Sequence, residues 1–411
     1  MRYWLFGVAL LMFAAAATGQ TINKKKEPDK KEPDPQWPRI TEIAGKTFEQ
    51  WEKEIHADDP SDREIAIKTI LNFGPKRAYE ALPSILKELE KHKASNVLDL
   101  SVRVNGTVAL GTIFMASGAP EDKKLQEKHE KYLKEAITIF RANLKDNKEN
   151  QAILKIRTLQ ALPVLGPIAR EAFPEVIKLI KDPTTWETRK GAVVALMYLV
   201  AFDPKAAPPP EALRDLYFAI DPGNENSAIV RHAALQTLVT MGQVGGETSK
   251  PTIIGRIENF LPKEKKSIVK IEAHKSIINL KRKLATDPID SRTKAQHLDL
   301  IAVYLDPKKY KDSTIRLNAL QALGSLGPAA SSVIYKVQDS LKDPDINLVG
   351  VAMIALIHME AFTSIPYLEL IKADESTDKV IRTAAGDTID QLKAIQDYRK
   401  KDKEKKKTDK K

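Results

Sequence analysis

A short apolar pattern recurs along this chain at intervals of 31 to 52 residues. In the copy RLNALQALGSLGP, which begins at Arg316, the small residue Ala319 is three positions on, and Leu323 and Leu326 are seven and ten on. Offsets of three, seven and ten lie along one side of an α-helix, so each copy predicts a helix with one apolar stripe. The copies begin at Arg63, Arg103, Lys155, Arg189, Arg231, Lys270, Arg316, Asn347 and Arg382, and only Asn347 breaks the rule of a basic opening residue.

Helix ends and second helices can also be placed from the sequence. Four of these first helices lead to a Gly and three of those to Gly-Pro, which predicts that they stop at Gly74, Gly166, Gly242 and Gly327. A second amphipathic segment follows each stop, for example REAFPEVIKLIKD from Arg170. Prolines 83, 174 and 366 lie near the starts of three such segments, where a missing N–H costs least.

Asp-Pro pairs close several second helices, at Asp182, Asp221, Asp306 and Asp343. These carboxylates can accept hydrogen bonds from the amides of the next turn, or pair with the basic residue that opens the following helix. Because one helix pair cannot bury its own stripe, successive pairs must cover each other. The pattern therefore predicts an all-α, right-handed α-α superhelix of about nine helix pairs over residues 46–396.

The Asp-Pro turn, basic opening residue, Ala-Leu stripe and Gly-Pro stop resemble HEAT repeats of the HEAT-like, or phycobilisome-lyase-like, subclass. The entry segment GKTFEQWEKEIHADDPSDREIAIKTILNFGP resembles the opening of exported HEAT-repeat proteins of planctomycete-type bacteria. This resemblance implies a HEAT/armadillo-like α-solenoid. In the entry segment Phe48, Trp51 and Ile55 form one stripe, which suits a capping helix.

Two intervals depart from the usual spacing. The 52 residues from Arg103 to Lys155 predict an elongated second helix. The 46 residues from Lys270 to Arg316 include LATDPIDSRTKAQHLDL, which predicts a longer loop. Irregular inserts of this kind are where a solenoid most often carries an individual function.

The two ends differ in composition from the repeats. Residues 1–19 have one Arg, an apolar run and small residues before Gln20, which predicts a secretory signal peptide. An uncleaved anchor is the alternative, although the run is shorter than the ~20 residues that span a bilayer. Residues 20–45 are rich in Lys and Pro and predict a disordered linker. The protein is thus expected in the periplasm, outside the cell or in the envelope, without a transmembrane segment after cleavage.

Charge is concentrated at the C-terminus. The chain of 411 residues carries a net charge of +11, of which 9 − 3 = +6 comes from residues 399–411. Residues 397–411 therefore form a basic tail, which either contacts anionic envelope polymers or keeps the protein in solution. The remainder is only mildly basic, so no specific nucleic-acid binding is expected.

Candidate chemistry is scarce in the sequence. Without cysteine there is no disulfide, thiolate zinc site or cysteine nucleophile. The seven histidines lack paired metal-ligand spacing, and no nucleophile motif is present. GQVGGETSK from Gly242 lacks the Lys-Ser/Thr of a phosphate loop, and DPGNENS from Asp221 lacks the acidic spacing of an EF-hand. We therefore expect no enzyme, with no catalytic, cofactor or metal residues.

Function is predicted from the array and the exported ends. The first hypothesis is an exported, non-catalytic scaffold that binds a protein or peptide on a concave face lined by the second helices; the sequence does not identify the binding residues. One alternative is a lyase-type enzyme acting on a protein-bound chromophore, as the resemblance allows. Another is an envelope-attached protein that binds polyanions through the basic tail.

Overall fold

The computed structural model describes residues 40–91, 99–118, 123–146, 151–204, 209–281 and 291–408. The chain divides into a unit of residues 1–41 and a unit of residues 42–411, and every described helix and strand belongs to the second. The predicted signal peptide, most of the predicted linker and Trp37 lie outside the described residues.

The described residues contain two very short strands and nineteen α-helices. The strands β1 (Glu42–Ile43) and β2 (Lys46–Thr47) pair antiparallel. The helices are α1 Phe48–Glu54, α2 Pro60–Ile70, α3 Pro75–Glu80, α4 Leu82–Lys91, α5 Leu100–Ser117, α6 Lys123–Lys145, α7 Ala152–Ala161, α8 Phe173–Leu179, α9 Trp186–Ala201, α10 Pro210–Ile220, α11 Ala228–Val244, α12 Gly246–Phe260, α13 Ser267–Lys281, α14 Ser291–Ala302, α15 Ser313–Leu326, α16 Ile334–Asp339, α17 Ile346–His358, α18 Ile365–Ala373 and α19 Lys379–Thr408. Short 3₁₀ segments, the longest at Leu162–Ala172, join several of them.

The helices form layers of two, which makes the protein an all-α solenoid. The first helices α2, α5, α7, α9, α11, α13, α15, α17 and α19 pack one on the next in that order. Each second helix, from α4 through α6, α8, α10, α12, α14 and α16 to α18, packs against the first helix of the following layer. The described residues thus hold eight helix pairs, and α19 occupies the first-helix position of a ninth.

The apolar stripe is buried in eight of the nine predicted copies. In the copy from Arg316, for example, Ala319, Leu323 and Leu326 are almost completely buried. The stripe forms two clusters that meet at α13, since Ala273 and Ile277 belong to one cluster and Ile271 to the other. Each layer therefore contributes apolar surface to its neighbours, as the repeat predicts.

The register predicted from Asn347 was wrong. Ile354, expected in the stripe, is 53% exposed, whereas Ala352, Leu356 and Met359 are buried. These three residues stand three, seven and ten positions after Val349, so the copy begins two residues later and has no basic opening residue. Because α17 is apolar on nearly every side, its sequence fits both registers.

Three of the four predicted glycine stops are confirmed, and the fourth was wrong. Gly74, Gly166 and Gly327 have φ values of 91°, 66° and 61°, in the left-handed region that ends a helix. Gly242 instead lies inside α11, which continues to Val244. A Cβ at Gly242 would lie 2.3 Å from a methyl group of Leu280 on α13, so this glycine permits close packing of the next layer.

The irregular segments also differ in part from prediction. The 23-residue α6 confirms the elongated second helix, and the buried Phe48, Trp51 and Ile55 lie at the open side of the first layer as expected for a cap. The predicted loop between Lys270 and Arg316 was too long, because residues 291–302 form α14; residues 282–290 lie outside the description.

The ends of the folded unit differ from the predicted boundaries. The β1–β2 pair places residues 42–45, assigned to the linker, at the start of the folded unit. At the other end, α19 runs without interruption to Thr408, so the basic tail continues the last helix.

One described segment, Ala152–Leu179, is long and apolar enough to span a membrane by length and composition. It is divided at Gly166, whose φ of 66° and ψ of −146° are not helical. Its Lys155 is buried and pairs with Asp182. The segment therefore consists of two core elements joined by a turn.

Candidate functional site

The basic opening residues are used in packing. Arg231 on α11 donates from Nε and Nη2 to the two carboxylate oxygens of Glu264, at 2.7 and 2.9 Å, and from Nη1 to the carbonyl of Glu225 at 2.7 Å. Arg316 on α15 likewise pairs with Asp343 and donates to the carbonyls of Tyr310 and Lys311. Each of these guanidinium groups ties the turn before its layer to the turn after it.

One of the two roles expected for the Asp-Pro carboxylates is confirmed, since Asp182 and Asp343 accept hydrogen bonds from amides of the next turn. The expected ion-pair partner, however, was wrong by one layer. Asp182 pairs with Lys155, which opens the helix of its own layer, at 3.0 Å. Arg189, which opens the following helix, instead donates a hydrogen bond to the Asp182 carbonyl oxygen. The second helix returns the chain to the start of its own first helix, which explains the difference. Burial alone would raise the pKa of Asp182, but hydrogen bonds from Thr184 and Lys155 outweigh it and hold the pKa below its usual value.

Two of the histidines form a buried pair between helices. His274 on α13 and His297 on α14 are both buried, with their Nδ1 atoms 3.0 Å apart. Burial lowers the pKa of His274 to about 4, and the nearby His297 and Lys270 add to this effect. Within the described ranges, no group of three or more His, Asp and Glu side chains could hold a metal ion.

The two weak motifs are parts of the helical framework. GQVGGETSK joins α11 to α12, with a helix rather than a strand before the glycines. In DPGNENS, Asp221 accepts a hydrogen bond from the Gly223 amide, and Glu225 pairs with Arg189. These groups form turns between layers. Trp186 begins α9 and is partly exposed.

Four of the first helices are nearly free of charged residues. Helices α5, α11 and α15 each contain a single residue among Asp, Glu, Lys and Arg, namely the buried Arg103, Arg231 or Arg316, and α17 contains none. Other first helices do carry exposed cations, such as Lys68 on α2 and Lys190 on α9. On the exposed sides of the second helices α6, α8 and α10, which we call the second-helix face, cations lie beside buried carboxylates.

Two similar charge clusters lie on the second-helix face. In the first, Arg141 and Lys145 of α6 both reach Oε1 of Glu175 on α8, at 3.1 and 3.2 Å. Burial alone would raise the pKa of Glu175, but the hydrogen bonds from Arg141 and Lys145 outweigh it and lower the pKa. In the second, Lys181 at the end of α8 and Arg214 of α10 both reach Oδ1 of Asp215, at 2.5 and 3.2 Å.

The acids of both clusters are buried and the bases are exposed. The side chains of Glu175 and Asp215 are only 6% and 8% exposed, whereas those of Lys145 and Arg214 are 63% and 70% exposed. Each cluster has two cations for its one buried carboxylate, and in the first cluster the exposed Glu171 lies 4.0 Å from Arg141. Solvent, or a bound partner, therefore meets mainly the positive groups.

A cavity and aromatic side chains adjoin these clusters. A shallow cavity of about 280 Å³ is lined by Thr138, Arg141, Ala142 and Lys145 of α6. Phe218 on α10 is partly exposed, and the Lys181 ammonium lies 4.8 Å from its ring centre. The sequence alone identified no binding residues; the four cavity residues have the i, i+3, i+4, i+7 spacing that places them on one side of a helix.

Comparisons with known proteins support the fold. No family model and no curated protein matches the sequence. Among solved structures, a triple mutant of Kap121p has a TM-score of 0.55 at 14% identity, and Kap121p bound to Nup53p has a TM-score of 0.53 at 13% identity. Each alignment covers 84% of this chain and 37% of the Kap121p chain. The chain thus has the fold of a HEAT-type solenoid and spans little more than a third of the length of those structures.

Proposed function

We propose that the protein is a non-catalytic scaffold that binds a polypeptide partner along the second-helix face. The observation that carries this proposal is that some charged side chains are buried between layers whereas others are exposed on the second helices. Opening residues such as Arg231 are buried in ion pairs between layers, whereas Lys145, Lys181 and Arg214 stay accessible on α6, α8 and α10. A stack of helix pairs with one accessible, chemically varied side suits an extended partner. The structure of Kap121p bound to Nup53p supports such a use of this fold.

Site-specific photo-crosslinking tests this proposal. A photoreactive amino acid is placed at Thr138 or Phe218 on the second helices and, as matched controls, at Val108 or Gln321 on the first helices. All four positions are exposed. In cells that produce the protein, we expect a discrete polypeptide adduct from the second-helix positions only. Equal adducts from the first-helix positions, or none from Thr138 and Phe218, would contradict the proposal.

We further propose that the protein is exported and that residues 1–19 are removed. This rests on the short apolar run and the small residues before Gln20. Mass spectrometry of the protein purified from its source should give an N-terminus at Gln20. An intact Met1 in the mature protein would contradict cleavage.

A second candidate function is binding of polyanions by the tail. Helix α19 extends to Thr408, and the exposed Lys400, Lys401 and Lys406 lie on its last turns. Removal of residues 400–411 should abolish sedimentation with anionic vesicles at low salt, and added salt should do the same to the full chain. Unchanged sedimentation of the shortened chain would eliminate this candidate.

A further inference from the structure

We infer that the partner presents an acidic polypeptide segment to the second-helix face between α6 and α10. This inference rests on the proposed function and adds to it the chemistry of the partner. It follows from the two clusters around Glu175 and Asp215, which share one arrangement although their sequences differ. In each, a base from the preceding layer crosses to a buried carboxylate, and a second base leaves a cation in excess.

Charge complementarity favours an acidic partner. The buried carboxylates are each shared by two cations, so neither can neutralise both. Lys178 adds a further exposed cation on α8, between the two clusters. Glu171, exposed at the rim and 4.0 Å from Arg141, balances only part of this charge. A partner carboxylate at either cluster would gain an ion pair without removing an existing one.

The spacing and the apolar groups favour a polypeptide over a nucleic acid. Neighbouring helices lie about 8–10 Å apart. In an extended polyproline-like chain, residues i and i+3 fall on the same side about 9 Å apart. One acidic residue in three would therefore meet successive layers. The cavity on α6 and the partly exposed ring of Phe218 offer places for small apolar or aromatic side chains between the acids.

Fluorescence anisotropy with defined probes tests the inference on the full chain. The first probe is a labelled twelve-residue peptide with Glu at every third position and Pro, Ala or Tyr between. The second replaces each Glu by Lys, and the third is a single-stranded oligothymidine of equal charge. We expect the Glu peptide to bind at least tenfold more tightly than both other probes, and more weakly as salt rises. Equal or tighter binding of the oligothymidine would overturn the choice of a polypeptide.

Matched charge reversals locate the binding. The variant K145E/K178E/R214E reverses three exposed cations of the second-helix face. The control K68E/R157E/K190E reverses three cations on the first helices α2, α7 and α9. Thermal melting by circular dichroism establishes that both variants are folded. We expect the first variant to bind the Glu peptide at least tenfold more weakly than the wild type does, and the control variant to bind it less than twofold more weakly. Equal losses, or no loss in the first variant, would overturn the inference.

The two proposals can fail separately. Crosslinking from Thr138 and Phe218 is repeated in the K145E/K178E/R214E background. If the adduct forms equally well there, the acidic partner is excluded and the scaffold function stands. If no adduct forms at either position, the scaffold function itself fails. Zero-length carbodiimide coupling of the Glu peptide should modify Lys145, Lys178 or Lys181; coupling confined to residues 400–407 would overturn the inference.

Discussion

Buried ion pairs between layers determine how much a substitution of one charged residue changes the free energy of unfolding. Arg231 and Glu264 are 4% and 1% exposed, and both carboxylate oxygens are bonded. In such a pair the cost of desolvation largely cancels the attraction, so the pair chiefly fixes geometry. Losing Arg231 is costly, because the buried Glu264 carboxylate would lose its bidentate cation and keep the hydrogen bonds from the Lys265 and Lys266 amides.

Arg231→Met should lower the free energy of unfolding by roughly 3–5 kcal/mol, because it removes the cation that pairs with the buried Glu264 carboxylate. The matched control is Lys393→Met, whose ion pair with Glu369 is exposed and should contribute less than about 1 kcal/mol. Urea denaturation measures both. A loss for Arg231→Met no larger than that of the control would show that the opening residues do not join the layers.

The His274–His297 pair predicts a pH dependence of stability. The pKa of His274 is about 4 when folded, and an unfolded histidine has a pKa near 6.5. Between these values the unfolded chain binds more protons, so the free energy of unfolding falls as the pH drops from 6.5 towards 4, by roughly 3 kcal/mol for this residue.

His274→Phe should therefore flatten the pH profile of the unfolding free energy over this range. The variant His358→Phe, at an exposed histidine, is the control for the substitution itself. Denaturant titrations at several pH values measure the effect. Parallel profiles for the wild type and His274→Phe would refute the explanation.

At the scale of elements, helix stripes follow from the sequence, but their ends and registers do not always do so. Offsets of three, seven and ten located eight first helices, in which the residues at those offsets are buried against neighbouring layers. The register from Asn347 failed where α17 is apolar on both sides. The helix stop predicted at Gly242 was wrong, because a glycine can either end a helix or allow a neighbouring helix to pack closely. Only the position of Leu280 shows that Gly242 does the second.

Two glycines should respond oppositely to the same substitution. At Gly242 the Cβ of alanine would collide with Leu280, so Gly242→Ala should cost roughly 1–3 kcal/mol. At Gly350, also helical, a Cβ would meet no atom within 4 Å, so Gly350→Ala should stabilise the protein by roughly 0.5–1 kcal/mol. Melting temperatures compare the two. A stabilised Gly242→Ala would contradict the close approach of α11 and α13.

For the whole molecule, the repeat was enough to predict the solenoid, but not the charge clusters of the second-helix face. The repeat is visible in sequence because every layer needs the same small and large residues at the same offsets. The charges of the second-helix face follow no such rule. Arg141 and Lys181 lie 40 residues apart, and only the packing of α6, α8 and α10 shows that each crosses to a buried acid.

The basic tail should not contribute to the stability of the array. Residues 400–408 continue α19 beyond Arg399, which forms an ion pair of 2.5 Å with Glu360. Removing residues 400–411 leaves that pair in place and exposes no apolar stripe. The unfolding free energy should change by less than about 0.5 kcal/mol, as judged by urea denaturation. A larger loss would show that the tail belongs to the packed structure.

Hydrogen exchange of the full chain with its crosslink-identified partner tests the central claim most directly. On binding, exchange should slow in the amides of α6, α8 and α10 and in the turns beside them, while the first helices α5, α9 and α11 keep their rates. Slowed exchange confined to the first helices, or to residues 397–408, would contradict binding on the second-helix face.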